Sequence, residues 1–80
     1  MPRMKTIKPA LQEQIENELK SKYGATLRIK DVAEYIGFDR TAATEWLIGL
    51  PFMRTNGEGK RKRYYASAIA EKMYLNTEVR

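Results

Sequence analysis

A small α+β domain, mostly α, is the fold class that three features of this 80-residue sequence predict. Two short apolar-striped stretches, residues 30–36 and 41–48, flank a tight turn at Phe38, Asp39 and Arg40. A hairpin signal follows, with two extended runs around Asn56, Gly57, Glu58 and Gly59, residues that tolerate positive φ. Further apolar stripes at helical spacing lie before the pair and after the hairpin.

Residues 1–8 form a basic arm, expected to be flexible, with Arg3, Lys5 and Lys8. Pro9 suits the first turn of an N-terminal helix over 9–23. There Leu11, Ile15 and Leu19 recur at four-residue spacing, Tyr23 is next in line, and polar residues cover the other faces. Gly24 ends the helix. The stripe is expected to pack across the domain. The alternative, a dimerisation helix, has only a two-turn seam, short for a coiled coil.

Residues 25–29 read as extended, with Leu27 and Ile29 on one side and Thr26 and Arg28 on the other. In the helix over 30–36, Val32, Ala33 and Ile36 form the apolar stripe and Tyr35 borders it. Asp31 in its first turn opposes the positive helix end, Gly37 stops it, and Phe38 is expected to plug the core. Asp39 is a good N-cap for the second helix of the pair. That helix directs Ala43, Trp46, Leu47 and Leu50 to one face and Arg40, Thr41, Thr44, Glu45 and Ile48 to the other. Ala43 is small enough to let the two helices approach, and Pro51 is expected to end the second.

Residues 52–55 and 61–65 are the strands of the hairpin. Alternation turns one of Tyr64 and Tyr65 inward and the other outward. Ser67 is placed to cap a C-terminal helix over 68–75, with Ile69, Ala70 and Met73 facing inward, and 76–80 is a tail. The whole chain reads as one domain, with 27–75 as its core region.

A hydrophobic fraction of 42% is ordinary for a folded protein, but this length buries one modest core. A large enclosed substrate pocket is not expected. The sequence has no cysteine and no histidine, which excludes disulfides, zinc sites built on thiolates or imidazoles, and catalysis by either side chain. It also lacks a phosphate-cradling glycine loop, and Gly57-Glu58-Gly59 reads as a hairpin turn. The expectation is a non-enzyme without metal, cofactor or small-molecule substrate. No segment reads as a signal peptide or a membrane span, so the chain is expected in the cytoplasm.

The net charge of +5 is unevenly spread. Residues 1–10 carry +3, residues 11–30 carry +1, residues 31–50 carry −3 and residues 51–66 carry +4. Positive charge therefore sits on the hairpin and the N-terminal arm, while the helix pair is acidic. Localised positive charge is the footprint expected of phosphate contact. The order of parts, two short helices at a sharp turn and then a cationic ribbon, is that of a winged helix-turn-helix with an added N-terminal helix and a C-terminal helix.

In that reading the second helix enters the major groove with Arg40, Thr41, Thr44 and Glu45. Arginine can take guanine O6 and N7 or a phosphate, glutamate can accept from cytosine N4, and threonine can touch a thymine methyl. The alternative makes Glu45 a solvated charge or a partner of Arg40, and Thr41 and Thr44 plain surface residues. In the hairpin, Arg54, Lys60, Arg61, Lys62 and Arg63 are placed to meet phosphates. A solubilising edge strand is the alternative there. Four consecutive bases exceed what edge protection needs. Arg3, Lys5 and Lys8 are candidate contacts from the arm.

Residues 27–75 resemble a known family. The entry at Leu27, the apolar helix ending in Ile36-Gly37, the cap Asp39, the helix carrying Trp46 and Leu47, the Leu50-Pro51 pair, the basic hairpin and the final helix follow the pattern of excisionase-type proteins. These are small winged helices related to the DNA-binding domain of MerR-type regulators. Three features depart from the pattern. Arg28 stands where the family often has Ser or Thr, Glu45 stands where a base is common, and the helix at 11–23 is an addition.

The resemblance implies sequence-specific binding of double-stranded DNA, as an excisionase or recombination directionality factor of a mobile element. Such proteins act architecturally, bending DNA near recombination sites, with an integrase or further copies of themselves as partners. It places the chain in a bacterial nucleoid or a phage-infected cell. A small winged-helix transcription regulator is the alternative within the fold. A protein-binding module using helix 11–23, and a single-strand or RNA binder, are the alternatives outside it.

Overall fold

The computed structural model describes residues 9–54 and 62–77. Along these the chain forms α1 (Ala10–Tyr23), β1 (Thr26–Leu27), α2 (Ile29–Ile36), α3 (Arg40–Trp46), β2 (Phe52–Arg54), β3 (Lys62–Tyr65) and α4 (Ala66–Leu75). The fold is α+β and mostly helical, with one three-stranded antiparallel sheet in the order β1-β3-β2. Among the described residues, no helix is long and apolar enough to cross a membrane.

The apolar stripe of α1 is spent inside the domain. Leu19 is fully buried, Ile15 and Tyr23 pack beside it, and α1 lies against α4. Leu11, at the start of the stripe, stays exposed. Glu16 is buried as well, and its carboxylate meets Lys20 one turn on at 2.8 Å. The core draws a side chain from nearly every element: Leu19 from α1, Leu27 from β1, Val32 from α2, Leu47 just past α3, Tyr64 from β3, and Ile69 and Ala70 from α4. At about 25 cal/mol per Å2 of apolar surface, such full burial of a Leu or Ile side chain stabilises by about 1.5–3 kcal/mol.

The strand at the domain's entry is shorter than the sequence suggests. Only Thr26 and Leu27 pair with β3, opposite Tyr65 and Tyr64, and Ile29 already opens α2. Asp31 is the cause. Its carboxylate accepts the Arg28 backbone N–H at 3.1 Å, which satisfies a donor at the helix entry and starts the helix at Ile29. Gly37 ends α2 in the left-handed region, at φ 96°, as the sequence predicts.

α3 begins where Asp39 caps it, the side chain accepting from the Ala42 N–H at 2.8 Å. It ends at Trp46, well before Pro51, so proline is not the terminator. A turn intervenes, closed by the Leu50 N–H donating to the Leu47 carbonyl at 3.1 Å, with Gly49 at φ 92°. The left-handed glycine redirects the backbone, and Pro51 merely precedes β2. Ala43 is fully buried where α2 and α3 pack together.

The last helix starts at Ala66, with Tyr65 in the cap position, so Ser67 lies inside the first turn. The antiparallel ladder explains the early start. The Ala66 N–H still donates to the Ala25 carbonyl at 2.8 Å, so the strand's last bond serves as the helix's first satisfied donor. Tyr64 points inward and Tyr65 outward, as alternation requires. The expected hairpin turn at 56–59 lies outside the described residues.

Three side-chain links tie helices together. The Tyr35 hydroxyl donates to Glu18 Oε1 at 2.6 Å, joining α2 to α1, and the Tyr23 and Tyr35 rings meet edge-on at 6.2 Å. Burial, followed by the bond to Glu18, pushes the Tyr35 hydroxyl up to about 12. Burial and the carboxylates of Glu34 and Asp31 raise Tyr23 too. Lys72 of α4 donates to the Trp46 carbonyl and sits 4.7 Å from the centre of its indole ring, fixing α4 to the end of α3.

Candidate nucleic-acid interface

The start of α2, the start of α3 and strand β3 meet around an open pocket of about 430 Å3, lined by Arg28, Ile29, Lys30, Arg40 and Lys62. Among the described residues, every charged side chain that lines it is cationic, and no carboxylate does. Each cation is placed by a local feature. Asp31 accepts both the Arg28 backbone N–H and, at 3.5 Å, its Nε, so one carboxylate starts the helix and steers the guanidinium. Arg40 is the first residue of α3, fixed there by the Asp39 cap. Lys62 pairs with Arg54 across the strands, and Phe52, next on the same face of β2, lies between them: the Lys62 ammonium sits 4.9 Å from the ring centre and the Arg54 guanidinium 5.6 Å.

The structure divides the residues expected at the site. Arg40 and Lys62 share the pocket, and Arg54 adjoins Lys62 over Phe52. Thr41, Thr44 and Glu45 lie exposed on α3. The Thr44 hydroxyl donates to the Arg40 carbonyl at 2.8 Å, one turn back. Arg40 and Glu45 do not pair; the ion pairs seen among the described residues are Glu16–Lys20 and Arg28–Asp31.

Arg63 does not join Lys62. It projects to the other side of β3, where its Nε donates to Thr26 Oγ1 at 3.1 Å and a terminal nitrogen to the Thr26 carbonyl at 3.4 Å. Half-buried, it staples β3 to β1. Strand alternation separates it from Lys62, and the neighbouring threonine supplies acceptors. Lys60 and Arg61 of the hairpin, and Arg3, Lys5 and Lys8 of the arm, lie outside the described residues.

Arg28 and Lys30 are pocket residues that sequence reasoning missed. A signal existed. An acid three residues after position 28 is half of a capping box and marks 28 as the helix entry, which puts both bases on the same rim. Their closeness to Arg40 and Lys62 is a tertiary fact that no local pattern encodes.

The pocket can hold an anion through bidentate guanidinium contacts from Arg28 and Arg40 and point charges from Lys30 and Lys62. Among the described residues there is no cluster of three or more His, Cys, Asp or Glu that would hold a metal ion. No protein-family model matches the sequence, and neither a curated protein nor a solved structure matches the chain.

Proposed function

We propose that the chain is a winged helix-turn-helix protein that binds double-stranded DNA, with α3 in the major groove and the β2–β3 hairpin as the wing. The observation that carries the reading is the convergence of cations from α2, α3 and β3 on one concavity that, among the described residues, no carboxylate lines. A phosphate backbone is the polyanion such a surface suits. Thr41, Thr44 and Glu45 are exposed and follow Arg40 along the same helix; in this reading they meet base edges once phosphates have set the register. The sheet order β1-β3-β2 supports the reading, since it anchors the hairpin to the domain through β3, paired with β1, and leaves β2 at the edge.

The role that accords with the resemblance is that of an excisionase: an architectural protein that bends duplex DNA near a recombination site, beside an integrase or further copies of itself. It needs no catalytic group and no cofactor. The test is fluorescence anisotropy with labelled duplex DNA across a salt series. The logarithm of affinity is expected to fall linearly with the logarithm of salt, with a slope of about −0.9 per phosphate neutralised. Absent or salt-independent binding would overturn the DNA reading. A bound duplex that stays straight, measured by end-to-end energy transfer, would remove the architectural role alone.

A further inference from the structure

We infer that the pocket between α2, α3 and β3 seats a single phosphate group, held jointly by Arg28, Lys30, Arg40 and Lys62. The inference deepens the nucleic-acid reading and depends on it only for the source of the phosphate. That source is the backbone of duplex DNA or a free phosphate compound.

Like charges gathered in one concavity repel one another, and an anion placed among them relieves the repulsion. Three of the four are held in place by supports of their own. Asp31 bonds Arg28 twice, the Asp39 cap fixes the first turn that carries Arg40, and Lys62 lies over the Phe52 ring. Asp31 spends its charge on Arg28 and does not line the pocket. The volume of about 430 Å3 lies toward the small end of ligand sites, which run from about 300 to 1,000 Å3. That suits one phosphate with its attached sugar and leaves no room for a run of nucleotides. Ile29 offers the apolar wall against which a sugar can rest.

The full chain, isotope-labelled, is titrated with sodium pyrophosphate and, at matched ionic strength, with sodium chloride, while backbone amides are followed by NMR. Pyrophosphate is expected to shift the amides of Arg28, Ile29, Lys30, Arg40 and Lys62, and chloride is not. Duplex affinity is then measured across salt for Lys30→Gln, Arg40→Gln and the double variant. Lys22→Gln, at an exposed position of α1, is the equal-charge control. Each pocket variant is expected to lose on the order of tenfold in affinity beyond the control. Because both cations serve one phosphate, the double variant should lower the salt slope by no more than about 0.9.

A double variant that lowers the slope by about 1.8 would mean separate phosphates and would overturn the shared seat. Pocket variants that behave like Lys22→Gln would overturn it too, while leaving duplex binding in place. Pyrophosphate shifts at the pocket without any duplex binding would sink the DNA reading and keep the seat, for a free phosphate compound. If pyrophosphate leaves the pocket amides unmoved and no duplex binds, both fail.

Discussion

Asp39 sits where stability and the proposed nucleic-acid binding pull in opposite directions, and two substitutions separate them. Its side chain accepts the Ala42 N–H at 2.8 Å and caps α3, a helix of only 7 residues. A helix so short does not hold by itself, so its first turn depends on the cap and on packing. Asp39→Ala removes the acceptor and should cost about 1 kcal/mol. A domain of this size has roughly 4–12 kcal/mol of stability, at about 0.05–0.15 kcal/mol per residue, so the loss is a sizeable share. The midpoint of thermal unfolding should fall by about 4–8 °C, read by circular dichroism. Asp39→Asn keeps an oxygen acceptor, ranks with Asp as a cap, and should keep most of that stability. It also removes a negative charge beside Arg40, so under the proposed function duplex affinity should rise at low salt and the gain should shrink as salt screens it. If Asn destabilises as much as Ala, the charge rather than the acceptor supports α3. If Ala costs nothing, the cap is idle. Either result would refute the reasoning.

Gly37→Ala should cost about 1–2 kcal/mol in chemical denaturation, because no neighbour lies within 4 Å of an added Cβ and the loss is the backbone strain of φ 96°; Gly37→Asn should cost less. Lys72→Met removes the bond to the Trp46 carbonyl and the cation over the indole, and should lower stability by about 1 kcal/mol while changing Trp46 fluorescence. Tyr35 is held protonated up to about 12 in the folded chain, above the ordinary value of 10.0, so its contribution is fully present below pH 10 and lost as pH rises toward 12. Tyr35→Phe should therefore remove the last phase of tyrosinate absorbance in an alkaline titration and flatten the loss of stability across that window. An unchanged last phase would assign it to another tyrosine.

Local signals in the sequence were legible and non-local ones were not. Gly37 and Asp39 announce the turn between α2 and α3 because a left-handed stop and a side-chain cap are set by the residue itself. The stripe at Ile15, Leu19 and Tyr23 announces α1 because burial repeats with the helical period. Boundaries slipped where a distant partner decided them. Ser67 looked like a cap, yet the Ala25 carbonyl, across the sheet, satisfied the Ala66 N–H first. Arg63 reads locally as one more base of the hairpin, and its bond to Thr26, 37 residues away in sequence, is a partner no local pattern encodes. The capping-box acid Asp31 marks Arg28 and Lys30 as one rim, but only the folded chain brings that rim beside Arg40 and Lys62. The charge count found the hairpin and passed over a pocket whose cations come from three elements.

Amide chemical-shift mapping of the labelled chain with a DNA duplex tests the central claim most directly. The account expects the largest shifts at Arg28, Ile29, Lys30, Arg40, Thr41, Thr44, Arg54 and Lys62, with little change along α1 and α4. Shifts confined to α1 and α4, or none at stoichiometric duplex, would contradict it.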